Sequence, residues 1–270
     1  MSTPTKALAP VLYIPHGGGP LPLLGDPDHQ QLVDFLQRIP SSLGAPSAIV
    51  VISAHWEGAQ ATVTSGARPD LIYDYYGFPE ESYRIQYPAP GAPALAEKIG
   101  ILLQAAGIDV RLDDQRGFDH GLFVPLKIMY PQAEIPCVQL SLLASLDPKA
   151  HIAMGRALAS LRQEPIFIIG SGFSFHNLRA FFAGSPGAPD QKNEAFSKWL
   201  SATCTDEKLS LAEREERLVA WEQAPHARYC HPREEHLLPL HVCFGMAQQA
   251  KAQLVFDGEV IGKRACAFLW

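Results

Sequence analysis

The chain reads as an α/β protein, a β-sheet with helices packed on both faces, and three observations support that reading. Eight apolar, β-rich runs are distributed along its 270 residues, segments with helical periodicity separate them, and no flexible linker or low-complexity tract divides the sequence. With no internal repeat, residues 1–270 are expected to form one domain.

Taken in order, the strands are expected at about 11–15, 48–54, 61–65, 108–112, 135–141, 165–170, 253–257 and 265–269. Val11-Leu-Tyr-Ile, Ile49-Val-Val-Ile and Ile166-Phe-Ile-Ile are apolar throughout, as strands buried on both faces must be. Helical periodicity covers about 28–38, 92–106, 121–130, 147–162, 190–203, 207–223 and 235–250. Asp147-Pro-Lys marks one helix start, with aspartate at the N-cap and proline at the first helical position. One stretch breaks the alternation. Residues 66–91 are rich in proline, glycine and aromatic residues, and Tyr73, Tyr75, Tyr76, Phe78, Tyr83 and Tyr87 either wall a pocket for a flat apolar ligand or clamp the loop onto its own core.

Composition narrows the function classes. Hydrophobic residues make up 47% and charged residues 19%, the balance of an ordinary globular protein. A chain of this length buries roughly three quarters of its unfolded surface. The formal charge of −6 and the absence of a Lys/Arg run argue against nucleic acid as a partner. No run approaches the ~20 apolar residues of a membrane span. Five scattered cysteines, with no C-x-x-C pair, form neither a disulfide framework nor a zinc knuckle. The first ten residues lack the apolar core of a secretory leader, so a reducing, cytoplasmic setting is expected.

The histidines point to chemistry. His16, His55 and His176 each follow an apolar strand run, and strand ends in an α/β sheet converge on one crevice. Tyr13-Ile-Pro-His16-Gly-Gly-Gly-Pro20 places an imidazole before three glycines, a crowded site floor or a tight turn; it is neither a P-loop nor G-x-G-x-x-G. In Ser53-Ala-His55-Trp-Glu57, Glu57 either accepts from the imidazole or is a solvated loop carboxylate. Gly117-Phe-Asp-His120-Gly sets Asp119 as a helix cap, with His120 pointing inward or exposed. Gly170-Ser-Gly-Phe-Ser-Phe-His176 suits a metal ligand or a general acid/base. A nucleophilic Ser171 or Ser174 paired with His176 is disfavoured, because the G-x-S-x-G elbow is missing.

The densest polar cluster is Arg228-Tyr-Cys-His231-Pro-Arg-Glu-Glu-His236-Leu-Leu-Pro-Leu-His241. Five residues on an α-helix rotate a side chain by roughly 140°, so one helix cannot aim His231 and His236 at the same point. Pro232 keeps His231 out of the helix and free to enter the crevice, which leaves His236 beside the site and His241 packed within the helix. His29, His151 and His226 are expected to be solvated.

Together, Y-I-P-H-G-G-G-P, I-S-A-H-W-E, Y-D-Y-Y-G-F-P-E-E, Y-P-A-P-G, F-D-H-G-L-F-V-P-L, G-S-G-F-S-F-H-N and H-P-R-E-E-H-L-L-P-L resemble the class III extradiol ring-cleavage dioxygenases, and within them the 4,5-DOPA extradiol branch. The resemblance runs in order from about residue 11 to 269. It implies a three-layer α/β/α domain around a central mixed sheet, a site at the C-terminal strand ends, and oxidative opening of a catechol ring by O2. It further implies His16, His55 and His231 as metal ligands, and His176 as the acid/base and a possible additional ligand. His120 would contact substrate or oxygen. From the aromatic loop and the polar cluster themselves, Tyr75, Tyr76, Phe78 and His236 are candidates to line the substrate. Better-known members use a carboxylate as third ligand, where this chain has His231 beside Glu234 and Glu235.

Three neutral imidazoles leave a divalent ion its full charge until a catecholate binds, and Fe(II) supplies the redox step that Zn(II) cannot. Zn(II) also suits such a ligand set, so a zinc hydrolase and a non-catalytic metal-binding interaction protein stand as alternatives. Arg179 and Arg233, close in sequence to site histidines, are candidates to hold an acidic substrate tail.

Overall fold

The computed structural model describes residues 8–183, 189–249 and 251–270. Eight strands, β1 (Val11–Pro15), β2 (Ala48–Gly58), β3 (Ala61–Thr64), β4 (Val110–Asp113), β5 (Cys137–Leu143), β6 (Ile166–Gly172), β7 (Gln253–Val260) and β8 (Lys263–Leu269), form one sheet in the order β4-β3-β5-β2-β6-β1-β8-β7. The helices are α1 (Gln30–Arg38), α2 (Pro40–Leu43), α3 (Pro93–Ala105), α4 (His120–Met129), α5 (Pro148–Leu158), α6 (Leu178–Ala183), α7 (Gln191–Thr205), α8 (Leu211–Val219), α9 (Ala227–Cys230) and α10 (Leu238–Ala247).

The sheet is mixed. β5, β2, β6 and β1 run parallel at its centre, while β3 against β5, β8 against β1, and β7 against β8 are antiparallel. The parallel strands are buried from end to end at their apolar cores, which is why they read as continuous runs of Val, Ile and Leu. Alternation along β6 separates the layers. A methyl added at Gly170 would meet Cys243 and Pro239 of α10, whereas the next side chain, Ser171, reaches the Gly121 carbonyl on α4. Helix α10 therefore lies on one face, with α5 and α3 beside it, and α4 lies on the other with α1.

Each expected strand is present, and the main departures lie in helix lengths. Asp147 caps α5 as expected, accepting from the Lys149 N–H. The helix expected over 207–223 starts only at Leu211, because Ser210 and Glu213 close a capping box there. The helix expected over 235–250 is confined to α10; Leu237 is its N-cap, Gln248 ends it in the left-handed region, and residue 250 lies outside the described residues, as do residues 1–7 of the N-terminal segment. Among the described residues no helix is long and apolar enough to cross a membrane.

Topology fixes the crevice. Strands β2, β6 and β1 are parallel neighbours whose registers place Ser53 beside Ser171, and Pro15 beside Gly172. Their C-terminal ends therefore emerge at the same edge of the sheet. His55 lies inside β2 rather than after it, in the stretch between Ile52 and Glu57 where the pairing to β5 shifts register.

Candidate metal centre

His16 leaves β1 with its Nδ1 3.0 Å from the Ser171 hydroxyl. That hydroxyl donates to the Gly121 carbonyl, so it accepts from His16 and leaves His16 Nε2 without a proton. His236 donates its Nδ1–H to Glu235 at 2.8 Å, which likewise frees its Nε2. Both free nitrogens face His55 Nε2, at 3.0 Å from His16 and 3.3 Å from His236. One proton on His55 cannot serve two acceptors, and a divalent cation satisfies all three. Two nitrogens about 2.1 Å from one ion lie about 3.0 Å apart at a right angle and about 3.4 Å apart in a tetrahedron, which brackets the observed spacings. Burial and the neighbouring imidazoles hold the pKa of His16 and His236 well below the usual histidine value, so both are neutral and ready to ligate at neutral pH.

Two carboxylates orient the ring of imidazoles. Asp74 accepts from both the backbone N–H and Nδ1–H of His120, at 3.0 and 2.8 Å, and its other oxygen is 3.7 Å from His55 Nδ1. Burial works to raise the Asp74 pKa, but the hydrogen bonds from His120 outweigh it and keep the group ionised. Glu235 Oε1 accepts from His236 and also from His176 Nδ1 at 2.9 Å. Burial works against the ionised form here too, and the hydrogen bond from His176 prevails. His176 lies flat on His236, with ring centroids 3.4 Å apart, and with Nδ1 engaged by Glu235 no hydrogen bond among the described residues takes its Nε2.

The site opens into a cleft of about 700 Å³, lined on its apolar side by Leu21, Ala54, Tyr75, Phe78, Leu178 and Phe181. The glycine run after His16 forms its floor. Gly17 and Gly19 have positive φ, and a methyl at Gly17 would sit 2.5 Å from Pro22. The Gly18 N–H donates to His29 Nε2 at 2.9 Å, and His29 Nδ1–H donates to Asp26 at 2.6 Å.

Several expectations are corrected by this geometry. His231 is not part of the cluster. Its backbone leaves the helical region ahead of Pro232, but the ring turns away from the cleft: Nε2 donates to the Ser174 carbonyl at 3.1 Å, and Phe196 and Trp221 pack around it. His236, expected beside the substrate, supplies the third nitrogen instead. It precedes α10, so the helical rotation expected between it and His231 does not apply. His176 shares Glu235 and His236 in a second group of side chains able to hold a metal, beside the His16–His55–His236 set, which agrees with its expected place next to the ion. Tyr76 points to solvent at 92% exposure, whereas Tyr75 and Phe78 line the cleft. Tyr73 and Tyr83 pack with Tyr75 and hydrogen-bond within the loop, and Tyr87 is buried in the core, so the loop both walls the pocket and clamps itself.

Asp119 occupies the N-cap position of α4 but does not cap it; its buried carboxylate accepts from Ser53 at 2.8 Å and Arg116 at 3.0 Å. His29 and His151 are buried, not solvated, while His241 packs within α10 as expected. Ser174 accepts from the Cys266 N–H and Ser171 contacts His16, so neither serine partners His176. Glu57 is forked to Arg233, and Arg179 is exposed and does not line the cleft. Asp74, and the part Glu235 plays as acceptor from two imidazoles, are what the histidine pattern did not find. The signals were present, an acid among tyrosines in residues 73–76 and an acid directly before His236.

Known proteins share this chain's pattern. Residues 10–265 match the family model described as the catalytic LigB subunit of aromatic ring-opening dioxygenase. The dioxygenase tasH of Hapsidospora irregularis is 43% identical over 97% of this chain and 86% of its own length. The 4,5-DOPA dioxygenase extradiol of Beta vulgaris is 38% identical over 92% of both chains. The protein of that name from Escherichia coli is 38% identical over 87% of this chain and 84% of its own. The crystal structure of an uncharacterised Escherichia coli protein superposes with a TM-score of 0.75 at 32% identity, covering 97% of this chain and 99% of that one.

Proposed function

The chain belongs to the family of the catalytic LigB subunit of aromatic ring-opening dioxygenases and is a metal-dependent extradiol dioxygenase; on that premise we propose that His16, His55 and His236 hold Fe(II), and that His176 is the base in opening a catechol ring. The convergence of three Nε2 atoms that no arrangement of protons satisfies carries this reading. Bound there, Fe(II) would supply open positions for both catechol oxygens and O2, and the one-electron exchange that lets oxygen react with the ring.

The chain's own residues do the rest. Tyr75 and Phe78, whose rings meet edge to face, present an apolar corner against which the ring lies. His176 Nε2 takes the proton of one catechol hydroxyl as the ring enters, and Glu235, on the far side of that imidazole, offsets the charge that results. His120, held by Asp74, faces the same cleft and serves as hydrogen-bond partner to substrate or oxygen. The ring bond beside one hydroxyl-bearing carbon breaks, and both oxygen atoms of O2 enter the product. Residues 10–265 act as one catalytic unit, and the five free, buried cysteines suit a reducing cytoplasm. DOPA, named for the relatives of Beta vulgaris and Escherichia coli, is the first substrate to try.

The test is to load the protein anaerobically with Fe(II), add DOPA, caffeate or protocatechuate, admit air, and follow oxygen uptake and visible absorbance. Uptake matching ring-opened product is expected, with the Zn(II)-loaded protein inert. No uptake over a broad catechol panel, with iron bound, would overturn the reading.

A further inference from the structure

The cleft wall carries a pair of opposite charges that makes no hydrogen bond to the imidazole cluster or to the proton acceptor. Arg233 donates from Nη1 and Nη2 to the two oxygens of Glu57, at 2.5 and 2.6 Å. Glu57 lies two residues beyond His55 on β2, and Arg233 three residues before His236, so the pair sits beside the proposed ligands. Both residues line the cleft, and Arg233 is the one lysine or arginine among the described residues that do so. The Arg233 side chain is 52% exposed, and an ion pair this open to water contributes little to stability.

The surroundings of the guanidinium decide which tail it accepts. Besides Glu57, the Glu235 carboxylate lies 3.5 Å away, so Arg233 stands between two negative groups. A substrate tail bearing a lone carboxylate must compete with both for one cation. A tail bearing a lone ammonium is attracted by Glu57 but repelled by Arg233. A tail with both charges on one carbon meets each with its opposite, and the wall need not give up its own pair. The fork to Glu57 uses two of the five guanidinium N–H groups, which leaves donors for a second carboxylate. We propose that the Arg233–Glu57 pair is the specificity element of the cleft, selecting catechols whose side chain ends in an α-ammonium carboxylate. This rests on the ring-opening reading above.

The test measures binding, not turnover. The Zn(II)-loaded protein is titrated under nitrogen with four catechols that differ in tail charge: DOPA, dopamine, 3-(3,4-dihydroxyphenyl)propanoate and 4-methylcatechol. DOPA is expected to bind at least about tenfold tighter than either singly charged analogue. In Arg233→Gln and in Glu57→Gln, the affinity ratio of DOPA to 4-methylcatechol is expected to fall about tenfold. Each ratio is taken within one variant, so a partly folded preparation does not imitate the effect. Equal binding of DOPA and the propanoate or amine by the unaltered protein overturns the proposal, as do substitutions that shift all four ligands alike. If the iron-loaded protein opens 4-methylcatechol yet the panel shows no preference, ring opening stands and only this proposal falls. If it opens none of the four, the ring-opening reading falls instead.

Discussion

His236 holds its place through its own backbone as much as through its ring. The carbonyl accepts from the Tyr13 hydroxyl and the Phe173 N–H, each at 3.0 Å, which ties the segment before α10 to the middle of β1 and the end of β6. His236→Ala is expected to weaken metal binding by at least about 100-fold, more than the loss of an outer hydrogen-bond partner costs. His231→Ala is expected to keep the same metal stoichiometry while losing about 1–3 kcal/mol of stability from its pocket against Phe196 and Trp221. Metal analysis and urea unfolding of the two variants check both. His176→Ala should retain metal and lose turnover; a collapse in its metal content would make His176 a ligand. Residue pattern made the histidine-rich crevice legible but not its membership. Which way the ring before Pro232 turns depends on Ser174, Phe196 and Trp221, all outside the motif around His231.

At the scale of elements, close backbone approach sets the geometry. A methyl at Gly172 would lie 2.1 Å from the His236 carbonyl, and one at Gly245 would lie 2.1 Å from the Ile152 carbonyl where α10 crosses α5. The two contacts are equally tight but differ in what they support. Gly172→Ala is expected to push the 231–237 segment outward and lower metal affinity about tenfold, with about 1–3 kcal/mol of overpacking cost. Gly245→Ala is expected to carry a similar stability cost and leave metal affinity unchanged. Equal metal affinities in the two variants would contradict the link from β6 to His236. The strands were legible because burial on both faces writes itself as unbroken apolar runs. The start of α10 at Leu238 was not, because Glu235 and His236 are spent on the site rather than on a helix face.

Across the whole molecule, buried neutral histidines outside the proposed ligand set make stability depend on pH. Burial pushes His151 down to about 4 and His231 down to about 3. In the unfolded chain both protonate near pH 6.5, so below that value the unfolded state binds protons that the native state does not. Stability of the metal-free protein must then rise with pH and fall as pH drops from 6.5 toward 4. Each histidine removes up to about 1.4 kcal/mol per pH unit over that window. Urea midpoints of the metal-free protein from pH 7 to 4 check this, and a flat profile would contradict it.

The fold and the reaction class are set by pattern and kinship, whereas the identity of the third ligand is set by packing alone. Diffraction from Fe(II)-loaded crystals, measured on both sides of the iron absorption edge, addresses that point directly. One anomalous peak is expected at bonding distance, about 2.0–2.3 Å, from Nε2 of His16, His55 and His236. A peak at His231, or one bonded to His176 in place of His236, would contradict this ligand set.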